Sequence, residues 1–273
     1  MEKPSTSPTE QASHWDHLEA MSPDELVRAM ARCDQQAQQA VEAIGPLISK
    51  AIADTAKRVK TGGRVFYLGA GTSGRLGVVD ASEIPPTFGV HDTFIGLIAG
   101  GDSAIRQAVE GAEDDPKSAE DELKQHNAAP GDVVVGIAAS GRTPYVIGAL
   151  KWAKEKGLLT LGITSNPNSQ VALLADIPLV AETGPEFVTG STRMKAGTAQ
   201  KLILNQLSTG IMIQCGHVQG NRMVDMALAN AKLVDRGTRM VSEALNIPMD
   251  RAQQLLTECG SVRNAIDTFG KRD

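Results

Sequence analysis

Positive charge is in short supply in this chain. Its 27 Lys and Arg stand against 32 Asp and Glu, a formal net charge of −5. That balance argues against nucleic acid or an anionic membrane as the main partner. Long apolar runs are missing as well, and no stretch approaches the roughly 20 residues that a spanning helix needs. The opening residues, MEKPSTSPTEQASHWDH, have no apolar core and so do not read as a secretory signal. Their Pro, Ser and Thr content suggests a frayed or partner-docked arm over residues 1–20. Cysteine is scarce: Cys33, Cys215 and Cys259 are far apart, odd in number and without C-x-x-C spacing. Reduced thiols in a cytoplasmic protein fit that pattern. His14 and His17 form an H-x-x-H pair, but no Cys or second pair completes a zinc site, so no metal is expected. Repeats and low-complexity tracts are absent.

What is present is room for a large core. A chain of 273 residues suits one sizeable domain, or one domain plus an appendage. Ser22-Pro23-Asp24-Glu25 carries a cap residue, Pro at the first helical position and a capping-box Glu, so it predicts a helix start. A second helix is expected from about Asp34, interrupted near Gly45-Pro46 and resuming to Lys60. From Val65 onward strand and helix alternate. Short apolar runs predict strands at Val65–Leu68, Thr93–Ile98, Val133–Ile137, Leu158–Ile163 and Ile177–Val180. Helices are expected near Ser73–Ile84, Ser103–Ala112, Ser118–Gln125, Thr143–Lys156 and Ser169–Ala175. Strands without period-two alternation fit a parallel sheet covered on both faces. The fold class is therefore a doubly wound α/β sandwich, with ligands bound beyond the carboxyl ends of the strands. After Gly184 helices are expected at Met194–Gln214, Met223–Asp235, Thr238–Leu245, Met249–Cys259 and Ser261–Phe269. The boundaries follow as an arm (1–20), an α/β domain (21–235) and a small helical bundle (236–273).

Three loops carry the chemistry. Gly69-Ala70-Gly71-Thr72-Ser73-Gly74 follows the first strand and opens a helix. Free amides and the helix dipole make such a turn an anion site. It matches G-x-G-x-x-G, yet a dinucleotide reading needs an acid at the end of the second strand, and Asp92 falls before that strand. Ala138-Ala139-Ser140-Gly141-Arg142-Thr143-Pro144 repeats the pattern after the third strand. Neither loop carries the Gly-Lys-[Ser/Thr] ending of a nucleotide P-loop. Two hydroxyl-rich loops on one sheet edge fit a small phosphate monoester such as a sugar phosphate. A third stretch, Val188–Lys201, again places hydroxyls at a helix start; its Arg193, Lys195 and Lys201 equally suit a solvated face. Two acidic features lie nearby: Glu83 before Pro85-Pro86, and the run Glu110-Gly111-Ala112-Glu113-Asp114-Asp115.

GAGTSG and ASGRT resemble the loops of the SIS (sugar isomerase) phosphosugar-binding superfamily. The longer strings LGAGTSGRLGVVDASEIPPTFGV, GLIAGGDSAIRQAVEGAEDD, VVVGIAASGRTPYVI and VTGSTRMKAGTAQKLILNQLSTG are similar to the N-acetylmuramic acid 6-phosphate etherases, from about Lys60 to Lys232. The glucokinase regulatory protein is a more distant relative. The resemblance implies a SIS-type sandwich, a UBA-like tail, a homodimer and no cofactor. It also implies cleavage of the ether joining D-lactate to carbon 3 of the sugar, with Glu83 and Glu113 in acid–base roles. Glu83 is then expected to be the acid that protonates the leaving lactate, its pKa raised by burial beside Ile84-Pro85-Pro86. Glu113 is expected to take the hydrogen from carbon 2. Gly71, Thr72, Ser73, Ser140, Gly141, Arg142 and Thr143 are the expected phosphate anchors, with Ser191 and Lys232 near the substrate. A non-catalytic phosphosugar regulator and an aldose–ketose isomerase remain as alternatives. The arm keeps only Thr9-Glu10 of the family's usual T-E-x-x-N pattern.

Overall fold

The computed structural model describes residues 7–269; residues 1–6 of the expected arm and 270–273 of the expected tail lie outside the described residues. Helix α1 (Pro23–Ala43) begins as expected. The Ser22 hydroxyl accepts from the Glu25 amide while the Glu25 carboxylate holds the Ser22 N–H. It does not restart at Asp34, because Ala29, Cys33, Ala37 and Val41 recur every fourth residue and bury one continuous face. The break comes at Ile44, before α2 (Gly45–Val59).

Strand and helix then alternate: β1 (Val65–Gly69), α3 (Gly71–Ser82), α4 (Ile84–Phe88), β2 (Phe94–Ile98), α5 (Ser103–Arg106), α6 (Pro116–Gln125), β3 (Val133–Ile137), α7 (Pro144–Glu155), β4 (Leu159–Thr164), α8 (Gln170–Leu174) and β5 (Ile177–Val180). The strands pair in parallel in the order β2-β1-β3-β4-β5. Val65, Tyr67, Val133 and Val135 face α1, α2 and α9 (Lys195–Gln214), whereas Phe66, Leu68 and Val134 face α6 and α7. Both faces are covered, which is why the strands read as unbroken apolar runs. The expected helix Ser103–Ala112 shrinks to α5. Gln107 turns extended and Gly111 adopts φ +74°, so the chain opens into a loop. Strand order reverses between β1 and β3, and the crevice beyond their carboxyl ends is where such sheets bind ligands.

After α9 come a small hairpin, β6 (Val218–Gln219) and β7 (Arg222–Met223), then α10 (Ala231–Leu245), α11 (Met249–Cys259) and α12 (Val262–Phe269). The expected helix Met223–Asp235 is replaced by irregular chain up to Asn230, whose side chain caps α10 by accepting from the Leu233 amide. Gly237 does not split α10, because it gives Leu256 of α11 room to pack against the helix backbone. Val224, Met226, Val241, Leu256 and Val262 form a core separate from the two sheet faces. Asp225 ties that core to the chain after α9 by accepting from Arg263 at 2.6 and 2.7 Å and pairing with His217 at 2.9 Å. No helix among the described residues is long and apolar enough to cross a membrane.

Candidate active site

The two anion loops sit side by side at the switch point. Gly71 opens α3 at φ +52°, and its N-cap Ala70 has no side-chain acceptor to offer. The first amides of a helix lack intrahelical partners. Gly74 N–H turns back to the Ala70 carbonyl, and among the described residues the amides of Gly71, Thr72 and Ser73 stay open. At α7 the Thr143 hydroxyl makes no cap bond and Pro144 has no N–H. Ile147 N–H returns to Thr143, and among the described residues the Tyr145 and Val146 amides stay open. Gly141 is held at φ +67°, where a Cβ would lie 2.1 Å from Ser169 Oγ, so only glycine fits that approach. Two helix N-termini therefore present unpaired amides toward one crevice, and both favour negative charge.

The third stretch does not make a third cradle. Glu186, 1% exposed, accepts from the Lys195 and Ala196 amides at 2.9 Å each, so a protein carboxylate already fills the start of α9. Ser191 is half-buried, and its N–H turns onto the Val188 carbonyl. Lys195 is not on a solvated face either. It is buried and donates to Gln36 Oε1 and the Pro185 carbonyl at 2.8 Å; burial pushes its ammonium below the ordinary range.

Thr72, Ser140 and Thr143 are half-buried at the loops. Ser73 is buried, and its hydroxyl donates to Gln200 Oε1 of α9 at 3.0 Å. Arg142 is exposed and donates to Ser7 Oγ of the arm at 2.7 Å, lining one cleft with Ser140 and Asn166. Lys232 is exposed on the first turn of α10, and among the described residues nothing bonds it to either loop.

The glutamates part company. Glu113 lies on a short 3-10 turn (Ala112–Asp114) and lines, with Ala70, Gly71, Arg75 and Glu110, a cleft of about 160 Å³ beside the first loop. The structure thus brings it to the glycine turn. Glu83 instead sits at the carboxyl end of α3 and is exposed, while Ile84 turns inward at 3% exposure. The expectation that the proline turn buries Glu83 is therefore corrected: the apolar neighbour takes the buried position.

Asn166, Gln200, Glu186 and Asp80 escaped sequence reasoning. Asn166, in Ser165-Asn166-Pro167 at the end of β4, stood at the sheet edge where ligands bind, and that position was a usable signal. Glu186 caps a helix nine residues away, and no local pattern marks it.

Residues 47–154 match the glucokinase regulatory protein N-terminal SIS domain, and residues 117–209 match the SIS domain. Among solved structures the chain is similar to a phosphoheptose isomerase from Francisella tularensis (TM-score 0.54, 19% identical, 70% of this chain and 98% of that one). A phosphoheptose isomerase from Neisseria gonorrhoeae is similar at TM-score 0.52 and 18% identity, over 69% of this chain and 97% of that one. At such identity the likeness is one of fold. The N-acetylmuramic acid 6-phosphate etherase of Bacteroides thetaiotaomicron is 54% identical over 97% of this chain and 96% of its own length. That of Porphyromonas gingivalis is 52% identical over 97% of each. With more than half its residues shared over nearly its whole length, the chain belongs to the N-acetylmuramic acid 6-phosphate etherase family.

Proposed function

We propose that the chain cleaves the lactyl ether of N-acetylmuramic acid 6-phosphate to N-acetylglucosamine 6-phosphate and D-lactate. It is a carbon–oxygen lyase, and we place it in the cytoplasm, in cell-wall amino-sugar recycling. Its three free cysteines agree with that compartment. The observation that carries this reading is the pair of open helix N-termini at the switch point, with Glu113 in the cleft beside them. The amides of Gly71–Ser73 and Tyr145–Val146, with the Thr72, Ser140 and Thr143 hydroxyls, hold the phosphate at one end of the substrate. That anchoring orients the reacting carbons and lowers the entropic part of the barrier.

Once the sugar ring opens, its aldehyde acidifies the hydrogen on carbon 2. Glu113 takes that proton. The electron pair left behind forms the carbon 2–carbon 3 double bond as the carbon 3–oxygen bond breaks, and the lactate oxygen leaves with a proton from the second acid. Water then adds at carbon 3, giving its proton to the second carboxylate, while carbon 2 regains a proton from Glu113. Each positioned transfer is typically worth about 10²–10⁴-fold.

Glu83 is the second acid on this reading, but it stands at the far end of α3 from the loops of its own chain. A homodimer reconciles the two, with Glu83 of the partner subunit closing the site. Val79, one turn before Glu83 and 58% exposed, supplies apolar surface for such a contact. We also read the helical appendage as beginning near Val224 and not at 236, since Val224 and Met226 lie in its core and α10 spans residue 235.

Purified protein should release D-lactate from N-acetylmuramic acid 6-phosphate without added nucleotide, and Glu83→Gln and Glu113→Gln should each abolish release. Binding of the sugar phosphate without release would instead favour a regulator, and sugar-phosphate isomerisation an isomerase.

A further inference from the structure

The stretch Ser7–Trp15 has no part in the chemistry above, yet it is firmly docked. Thr9 is fully buried at 0% exposure. Its N–H donates to Asn166 Oδ1 at 3.3 Å, and its hydroxyl accepts from Asn166 Nδ2 at 3.0 Å. Farther along, Ser13 N–H donates to Thr189 Oγ1 and the Ser13 hydroxyl to the Phe187 carbonyl. Trp15 packs edge-on against Phe187 with ring centroids 5.9 Å apart. The arm therefore crosses the carboxyl edge of the sheet, from the loop after β3 to the stretch before α9.

Asn166 links that arm to the anion loop. Its amide orientation is settled by backbone partners, since an N–H meets only Oδ1 and a carbonyl only Nδ2. Nδ2 also donates to the Ala139 carbonyl at 2.9 Å. The same carbonyl accepts from Thr164 Oγ1 at 3.1 Å and Ser165 N–H at 3.0 Å. Three donors, all from the end of β4 and the loop after it, draw that oxygen to one side. The peptide is trans, so the Ser140 N–H points the opposite way. In the sheet β3 lies between β4 and β1. A carbonyl held toward β4 sends the Ser140 N–H toward β1, where the open amides of Gly71–Ser73 stand. Among the described residues that N–H has no acceptor in the protein.

We propose that Asn166 is a positioning residue for the anion site. With Thr9 of the arm it locks the Ala139–Ser140 peptide so that the Ser140 N–H faces the substrate's phosphate. A rotated peptide would present a carbonyl to the anion instead. Arm docking and phosphate affinity are thereby one equilibrium. The inference rests on the reading above that these two loops hold the phosphate.

The test uses the full chain, with inorganic phosphate as a competitive probe of D-lactate release. Asn166→Asp keeps the shape but replaces the donor to Ala139 with a carboxylate oxygen. It should raise KM and the phosphate inhibition constant together by about tenfold, with kcat changed less than about threefold. Thr9→Val, which removes only the arm's hydroxyl, should move both constants the same way by about threefold and add little to Asn166→Asp. Thermal melting checks that each variant is folded; if Asn166→Asp is not, Thr9→Val carries the test. An Asp carboxylate at 166 would itself repel an anion, so the uncharged Thr9→Val separates the roles: a merely structural role would lower its melting temperature and leave its phosphate constant alone. An unchanged phosphate constant in folded Asn166→Asp, or in folded Thr9→Val, overturns the proposal. A wild-type enzyme that releases lactate without inhibition by phosphate overturns the underlying phosphate reading as well, and the two failures are told apart by the wild-type result alone.

Discussion

Gly71 and Glu83 stand at opposite ends of one helix. The 12 residues of α3 from Gly71 to Ser82 span about 18 Å at 1.5 Å per residue, and Glu83 caps the far end. A straight helix cannot bring both ends to one small sugar. On the proposed mechanism the glycine turn and this glutamate therefore come from different copies of the chain.

Complementation reads that arrangement directly. Glu83→Gln and Glu113→Gln, each inactive alone, should recover activity when the subunits are mixed and reassembled. Half the dimers are then mixed and one of their two sites is intact, so about a quarter of wild-type activity should return. No recovery after proven subunit exchange would place both glutamates in one chain's site.

Glu186 is a structural cap buried beneath the third loop. Its two charge-assisted bonds to the Lys195 and Ala196 amides are lost together in Glu186→Ala. The expected cost is about 3 kcal/mol, or about 6–12 °C in melting temperature for a chain of this size. Glu186→Gln, which keeps one acceptor, should lose roughly half as much. A melting curve for Glu186→Ala that overlays the wild type would sink this assignment.

Asp80 makes stability depend on pH. It is 6% exposed between α3 and α9, and burial raises its pKa, although Asn205 and Ser208 bond to its Oδ1. A carboxyl raised on folding contributes stability that is fully present below the unfolded value of 3.8 and is lost as pH rises through the folded one. Asp80→Asn removes that dependence. Measured against the wild type, it should therefore gain melting temperature between pH ~4 and neutrality. A constant difference across that range would contradict the assignment.

The Asp225–Arg263 contact has the opposite sign. Burial alone would raise Asp225, but bonds from Arg263 and His217 outweigh it and hold the carboxyl below its ordinary value. Its contribution is present above the unfolded value and is lost as pH falls through the folded one. Arg263 is more than a third exposed, so the pair is worth only about 1 kcal/mol. Arg263→Met should speed proteolysis between Gly216 and Asn230 at neutral pH, and the difference from wild type should shrink in acid. Cleavage indifferent to the substitution would show that this pair does not hold the bundle.

Much of the fold was legible because its signals are local. Val133–Ile137 and Ile177–Val180 were delimited by apolar runs between turn residues, and the Ser22–Glu25 box marked α1 at its first turn. The errors fall where packing overrides local preference. The separate helices expected at Met223–Asp235 and Thr238–Leu245 join in α10, where Leu256 packs against the backbone at Gly237. Glu83 reads as buried by its Pro-Pro neighbours, yet the one inward position at that corner goes to Ile84.

The sequence by itself determined the doubly wound architecture and the two glycine–hydroxyl loops, because strands, helix starts and tight turns are encoded within a few residues; the roles expected of Glu83 and Glu113 came from the family resemblance. Only the tertiary structure decided which helix starts stay open. Among the described residues, amides at α3 and α7 remain unpaired, while those at α9 are taken by Glu186, whose approach depends on the folding of a whole segment. It also decided that Glu113 joins the first loop and Glu83 does not. Those outcomes are distances through space, set by the rise of a helix and the order of strands in a sheet.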